Sequence, residues 1–421
     1  MTNGEKPLWP VATLVVLTGL NLLDYLDRQL LAAVLPALQA DLRLGDEQAG
    51  TIATAFMLGY FLTAPVFGWL GDRVARTWLI AGGVFVWSLG TLLSGHTSAF
   101  VSLLFFRVLV GFGEASFGTI SPGWIADLFP SWRRNNAITV FYLAIPVGSA
   151  LGYLMGGFMA VHFGWRSAFL WAGYPGLLLA FLLFLLREPE RGASDRQEGY
   201  PAPVAAVTTE PVGWRVYLDL FRYRGYVLVV AGYVAQTFAM GGFSLWAPSF
   251  LHRIHHLPLD RAAFFFSASL AATGLFATLI GGFWATRWQR RSGSGYAWLL
   301  ALSASLAAPL SFLAFTIDDL AWAKVALVGT MFLLFFSTGP VNTLILETVP
   351  VTMRASAMAA SIFSIHLFGD LWSPKFVGYL SDRWGDLRQA VLCALPGALI
   401  VSAVCWGLLV AHVRRQRDGT G

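Results

Sequence analysis

Asp24, Asp27 and Arg28 stand inside an otherwise apolar run that extends from about Pro10 to Pro36. In lipid each such charge costs about 2.5 to 3.5 kcal/mol on insertion scales unless it is paired or faces water, so charges kept there point to ion or substrate handling. Asp24 and Arg28 are four residues apart and share a helical face, which also allows a self-contained pair whose only work is to let the segment insert. Arg107 and Glu114 lie seven residues apart in another apolar run. That is two turns on one face and about 10 Å along the axis, too far for direct pairing. Counted from the ends of their segments, Arg107 and Asp24 both fall near the middle of the membrane. An arginine on one span is therefore expected to meet the carboxylates of another. Arg107 would bind an anionic group or, in its absence, Asp24 or Asp27, and Glu114 would carry a proton. His366 and Asp370, again four apart, form a further pair with Lys375 about a turn beyond. Histidine titrates near neutrality, so the pair could relay protons. A satisfied structural pair, with Lys375 reaching outward, is an equal reading.

The elements that hold these residues follow from composition. Of 421 residues 57% are hydrophobic and 12% are charged, against about 25% charged in soluble chains. With a mean hydropathy of +0.64, there is too little charge to cover a soluble protein of this size. The sequence expectation is an all-α membrane protein. Twelve apolar stretches are long enough to cross about 30 Å of hydrocarbon. They centre on residues 10-36, 48-71, 77-95, 99-126, 135-160, 166-187, 225-251, 261-286, 295-316, 321-347, 355-379 and 389-413. The first exceeds a signal-peptide core and is read as a retained span. Residues 188-224 form a polar linker, so the expected organisation is an N-terminal half (1-187), the linker, and a C-terminal half (225-421). The end of the linker, with Arg215, Arg222 and Arg224 among aromatics, is expected to lie along the membrane surface.

The net charge of +5 is not gathered in one patch, which argues against a nucleic-acid partner. With the N-terminus placed in the cytoplasm, the inner loops hold 18 Lys and Arg and the outer loops seven. That bias places both termini inside. Arginine far outnumbers lysine, a sign of a GC-rich bacterial source, and the location expected is the inner membrane. Cys393 and Cys405 sit 12 apart in one apolar segment, about 18 Å along a helix, and cannot bridge.

Two pairs of loops repeat. Asp127-Leu-Phe-Pro-Ser-Trp-Arg-Arg134 with Ala137 matches Glu347-Thr-Val-Pro-Val-Thr-Met-Arg354 with Ala357, and Gly68-Trp-Leu-Gly-Asp72-Arg73 matches Gly282-Phe-Trp-Ala-Thr286-Arg287. Both fall on the inner side, and an even number of spans per repeat gives two parallel six-helix pseudo-repeats. Gly148, Gly152 and Gly156 put a stripe of small residues on the fifth span, a device for close helix approach. His252, His255 and His256 lack a nearby carboxylate or cysteine and are not expected to hold a metal. No Gly-x-Ser-x-Gly, His-Glu-x-x-His or Walker loop is present, which argues against a hydrolase, a zinc protease and an ATP-driven pump. No enzyme activity, cofactor or metal is expected.

Gly68-Trp-Leu-Gly-Asp-Arg-Val-Ala-Arg76 resembles the loop signature of the major facilitator superfamily. Further motifs resemble the Spinster family of lipid transporters: Asp24-Tyr-Leu-Asp27-Arg28, Arg107-Val-Leu-Val-Gly-Phe-Gly-Glu114-Ala-Ser116, Ile125-Ala-Asp-Leu-Phe129 and Phe141-Tyr-Leu-Ala-Ile-Pro-Val-Gly-Ser149. In the C-terminal half, His366-Leu-Phe-Gly-Asp370 and Ser373-Pro374 carry the likeness. The resemblance implies the major facilitator fold and alternating access. It also implies movement of amphiphiles with a charged head and one acyl chain, such as lysophospholipids or sphingosine phosphates, in some members coupled to protons. The Asp-Arg, Arg and Glu positions correspond to Asp24, Asp27, Arg28, Arg107 and Glu114. Asp72, Arg73, Arg76, Asp127 and Arg134, with Glu347 and Arg354 in the second repeat, would latch the inner side, or serve only as orientation signals. The alternatives are a proton-coupled transporter of a small organic anion such as a sugar acid, and a multidrug exporter. The expected partners are an amphiphilic or anionic small molecule, protons and membrane lipid, with the protein a monomer.

Overall fold

The computed structural model describes residues 9–71, 73–190, 215–350 and 353–418. It is helical throughout, with no strand among those residues. In lipid no water is present to satisfy backbone N–H and C=O groups, so long apolar runs without internal charge fold as helices that bond within themselves. Among the described residues eleven segments are long and apolar enough to cross a membrane, from Trp9–Leu42 to Leu387–Gln416.

Contacts divide the chain into two compact units, one of Met1–Leu44 with Ile52–Thr209 and one of Gly45–Thr51 with Glu210–Gly421. The first unit contains α1 (Trp9–Leu42), most of α2 (Asp46–Gly71), α3 (Arg76–His96), α4 (Phe100–Leu128), α5 (Ser131–His162) and α6 (Trp165–Leu183). Its core gathers Leu17, Leu20, Val84, Trp87, Phe117 and Trp124, all essentially buried.

The position of α1 is set by the small-residue stripe of α5. A Cβ on Gly148 would collide with the Leu22 carbonyl, one on Gly152 with the Leu26 carbonyl, and one on Gly156 would lie 2.7 Å from the Ala33 Cβ. The two backbones therefore meet directly along the segment that carries Asp24, Asp27 and Arg28. Asn21 ties the same face down by donating to the Phe141 carbonyl at 2.8 Å. In the same way Gly111 of α4 admits the Phe56 carbonyl of α2, which brings α2 against the arginine-bearing turn of α4.

The second unit contains a short interfacial element, α7 (Arg215–Asp219) with a 3-10 turn (Leu220–Arg222), and then α8 (Arg224–Arg253), α9 (Leu259–Ser292) and α10 (Gly295–Thr316). After these come α11 (Leu320–Phe336), α12 (Thr338–Glu347), α13 (Arg354–Ile365), a π turn (His366–Asp370), α14 (Ser373–Trp384) and α15 (Leu387–Asp418). Trp406 fills the space left by Gly232 and donates to the Val229 carbonyl at 3.2 Å. The first turn of α2 counts with this unit, where the Asp382 carboxylate accepts from the backbone N–H groups of Asp46 and Glu47 at 2.8 and 2.7 Å.

The expected single span over 355-379 is broken. Its helix changes to a π turn over His366–Asp370 and restarts at Ser373. Pro374 has no N–H for the Asp370 carbonyl, and its ring would strike that oxygen in a continuous α-helix. Of the expected linker, residues 191–214 lie outside the described residues, and residues 215–222 are helical.

Candidate functional site

The charges of α1 and α4 converge inside the first unit. Arg28 Nε lies 2.8 Å from Asp24 Oδ1 and 2.8 Å from Glu114 Oε2, so one guanidinium joins two carboxylates from different helices. Arg107 lies one turn pair away and faces Asp27, its terminal nitrogen 3.4 Å from Asp27 Oδ2. Charge-assisted N–H···O bonds run at about 2.7–2.9 Å, so the first pairs are tight and the second is loose.

Burial separates the two arginines. The Arg107 side chain is 1% exposed, Glu114 is fully buried, and Arg28 retains 19%. Of the residues expected to take an anion, Arg28 is thus the most exposed member of the cluster and Arg107 is buried. Arg107 does meet one of the two carboxylates expected for it, Asp27. Three buried polar atoms, Asp27 Oδ1, Arg107 Nε and Glu114 Oε1, have no hydrogen-bond partner. Each such atom costs about 1–3 kcal/mol, and they lie in one cluster, which marks it as a place where other arrangements of protons or anions are accommodated.

Spacing did not reveal several neighbours. Thr91 of α3 donates to Asp27 Oδ2 at 2.9 Å. The Arg28 guanidinium lies over the rings of Tyr25 at 4.7 Å, Tyr60 at 4.9 Å and Phe56 at 5.4 Å, and Arg107 lies over Phe56 at 5.0 Å. Such ring faces stabilise a partly desolvated cation by about 0.5–2 kcal/mol each. Tyr25 sits beside Asp24 in sequence and could have been suspected. Phe56, Tyr60 and Thr91 come from other helices and look like ordinary span residues. The link from Glu114 to Arg28 was likewise not read from the sequence.

In the second unit His366 Nδ1 lies 3.0 Å from Asp370 Oδ2, across the π turn. The imidazole is 40% exposed and the carboxylate 23%. Near this pair α8 contributes Tyr233, beside Asn342 of α12 and Asp370. Gln236 donates to the Leu334 carbonyl at 2.8 Å and to Ser337 at 2.9 Å. Lys375 reaches Glu47 at a distance of 3.8 Å.

Of the residues expected as latches, Arg76 and Asp127 pair at 2.6 Å within the first unit. Glu188 accepts from the backbone N–H groups of Arg76 and Thr77 at 2.9 and 3.2 Å, holding the start of α3. Arg73 is exposed, Glu347 is exposed at the end of α12, and both have further contacts. Asp72 and the side chains of Arg134 and Arg354 lie outside the described residues, and so does any Glu347–Arg354 pairing. Among the described residues no group of His, Cys, Asp and Glu is placed to hold a metal ion. His252 instead bonds the Leu257 carbonyl at 2.8 Å, and His255 packs edge-on against Phe250.

A family model described as Major Facilitator Superfamily matches residues 17–374. Protein spinster homolog 1 of Homo sapiens is 35% identical over 455 aligned residues, covering 99% of this chain and 84% of that protein. The sphingosine-1-phosphate transporter SPNS2 of Danio rerio is 32% identical, covering 89% and 76%. Among solved structures, a bacterial homolog of the human lysosomal transporter Spinster, in an inward-facing and unoccupied conformation, aligns over 97% of both chains with a TM-score of 0.82 and 24% identity. That last likeness concerns the fold.

Proposed function

The chain belongs to the Major Facilitator Superfamily and, within it, to the Spinster family, and from that premise we propose that it moves an anionic amphiphile, a lysophospholipid or sphingosine-phosphate-like lipid, coupled to protons. As a member of this superfamily it is a multi-pass membrane transporter of small molecules and not an enzyme. The substrate class and the proton are the proposed part.

The observation that carries the proposal is the shared guanidinium of Arg28, held between Asp24 and Glu114 at 2.8 Å each and still partly exposed. An incoming phosphate or carboxylate is a competitor for the same donors. When the head group takes Arg28, Glu114 loses its cation in a fully buried place and takes up a proton, since an unpaired buried carboxylate is costly. When the head group leaves, Glu114 returns to Arg28 and releases the proton. Arg107 and Asp27, behind this pair and loosely matched, are the second cation and carboxylate that the head group can engage as it goes deeper. His366 and Asp370 of the second unit, 3.0 Å apart, are a further pair through which a proton can pass.

The family relative that transports sphingosine-1-phosphate supports the lipid assignment. The same charge logic serves the inner-membrane location with both termini in the cytoplasm, as the loop arginines indicate. Glu114→Gln tests the coupling. It is expected to abolish uptake driven by a pH gradient while substrate exchange without a gradient continues. Undiminished gradient-driven uptake by that variant would remove Glu114 from the role.

A further inference from the structure

The stretch Leu320–Glu347 is apolar and long enough to cross a membrane as one span, yet its helix is interrupted at Ser337, between α11 and α12. The sequence across the break is Ser337-Thr338-Gly339-Pro340. Pro340 has no N–H for the Phe336 carbonyl, and in the first turn of α12 that lack is tolerated. Carbonyls released inside a span must find other partners, because lipid offers none. Two neighbouring helices attend to them. From α8, Gln236 Nε2 donates to the Leu334 carbonyl at 2.8 Å and to Ser337 Oγ at 2.9 Å. From α9, Thr278 Oγ1 lies 3.5 Å from the Phe335 carbonyl, and a Cβ on Gly281 would collide with the Phe336 carbonyl, so only glycine admits that oxygen.

Gln236 is 2% exposed and Ser337 is fully buried. A buried amide is costly unless it is hydrogen-bonded, and both partners of this amide belong to the break. The bonding has two forms. The Ser337 hydroxyl has one proton and two acceptors in reach, the Leu334 carbonyl at 2.9 Å and Gln236 Oε1 at 3.1 Å. With the proton on the Leu334 side, Gln236 can leave without orphaning that carbonyl. Beyond the break, α12 is 10 residues long and buries one face, Pro340, Val341, Leu344 and Ile345. It carries Asn342, which stands with Tyr233 and Asp370. Tyr233 precedes Gln236 on α8 by about one turn. A change of angle at the break therefore moves Asn342 against Tyr233 and Asp370.

We propose that residues 337–340 are a hinge within the second unit, on which α12 changes its angle to α11, and that Gln236 is the positioning residue that holds the hinge in the setting described here. Hinges are a few element-terminal residues, often small, that absorb changes of φ and ψ, and serine, glycine and proline are the residues at which helices break. Gln236 touches no substrate in this account. It acts through Ser337 and Leu334.

The test reads hydrogen exchange, thermal unfolding and transport on the full chain. Exchange is followed in lipid nanodiscs on peptides from α11 and α12 of the wild type, Gln236→Met and Pro340→Ala. Methionine is unbranched and adaptable, so it fills the space of Gln236 without its amide. Gln236→Met is expected to speed exchange in α12 about fivefold, the factor carried by one net hydrogen bond, with the start of α11 unchanged. Pro340→Ala returns the N–H. It is expected to slow exchange in α12, to leave the unfolding midpoint equal or higher, and to lower the maximal rate of uptake into sealed liposomes with the half-saturating concentration unchanged. A purely structural role predicts a rate that follows stability instead. Uptake is read with labelled lysophospholipid and so rests on the substrate proposed above. Wild type that takes up none would refute that substrate, while the exchange readings, which need no substrate, still decide on the hinge. Should Gln236→Met not be purified, Ser337→Ala replaces it, with exchange in α12 again expected to rise. Exchange in α12 equal to wild type in that variant, or a rise shared by the start of α11, would overturn the role of Gln236. Pro340→Ala with exchange in α12 not slowed, or slowed with uptake at the wild-type rate, would overturn the hinge.

Discussion

Arg28 is the residue on which the first unit's charge balance turns. Removing it by Arg28→Ala leaves Asp24 and Glu114 buried without their cation, and breaking a buried pair in this way costs about 3–5 kcal/mol. The expected outcome is a clearly lowered unfolding temperature in detergent. Arg28→Ala combined with Asp24→Ala and Glu114→Ala is expected to recover much of that loss, because the unpaired charges are gone. A triple variant as unstable as the single one would show that Arg28 acts through packing on Tyr25 and Tyr60 instead. Thr91→Val is a milder probe. It takes from Asp27 its 2.9 Å hydroxyl bond and is expected to cost about 1–3 kcal/mol, with substrate affinity falling more than stability if Asp27 then swings toward Arg107. At this scale the sequence was legible where partners share a helix: the four-residue spacing of Asp24 and Arg28 and of His366 and Asp370 gives pairs that the structure contains. It was not legible where the partner lies on another helix. Rotation of α1 about its axis decides whether Arg28 meets Glu114, and spacing along one helix carries no information on it.

At the scale of elements, the fit of α1 on α5 holds Asp24, Asp27 and Arg28 in place. Gly152→Val puts two methyl groups where the Leu26 carbonyl already sits, and overpacking of this kind costs about 1–3 kcal/mol. Because Leu26 lies between Asp24 and Asp27, transport is expected to fail at temperatures where the protein remains folded. Gly82→Ala on α3 meets nothing within 4 Å and is expected to leave both stability and transport unchanged, or to stabilise slightly through helix propensity. Thermal unfolding and uptake measured on both variants separate close approach from a general intolerance of added side chains. The glycine stripe was visible in the sequence, while its partner helix was not, since a spacing of four marks a surface without saying what lies against it. The break at Asp370 could have been read from Pro374, whose missing N–H falls one turn later. Apolar content alone made the segment look like a continuous span.

The whole molecule is a major facilitator transporter of the Spinster family, and its composition already required lipid as the main solvent. The loop arginines make its orientation testable. In a background with Cys393 and Cys405 replaced by serine, a membrane-impermeant thiol reagent is expected to label Arg43→Cys in intact cells and Arg415→Cys only after permeabilisation. The reverse pattern would invert the topology. Substrate identity was the least legible property, because an arginine between two carboxylates serves any anion and the acyl chain needs only apolar surface, which every span supplies. Uptake of labelled lysophospholipid by the purified protein in sealed liposomes, with and without an imposed pH gradient, bears on the proposed function most directly. Uptake that rises with the gradient, and that Glu114→Gln makes indifferent to it, is the expected result. Absence of lysophospholipid uptake under both conditions, from protein that does transport a small organic anion, would refute the lipid assignment.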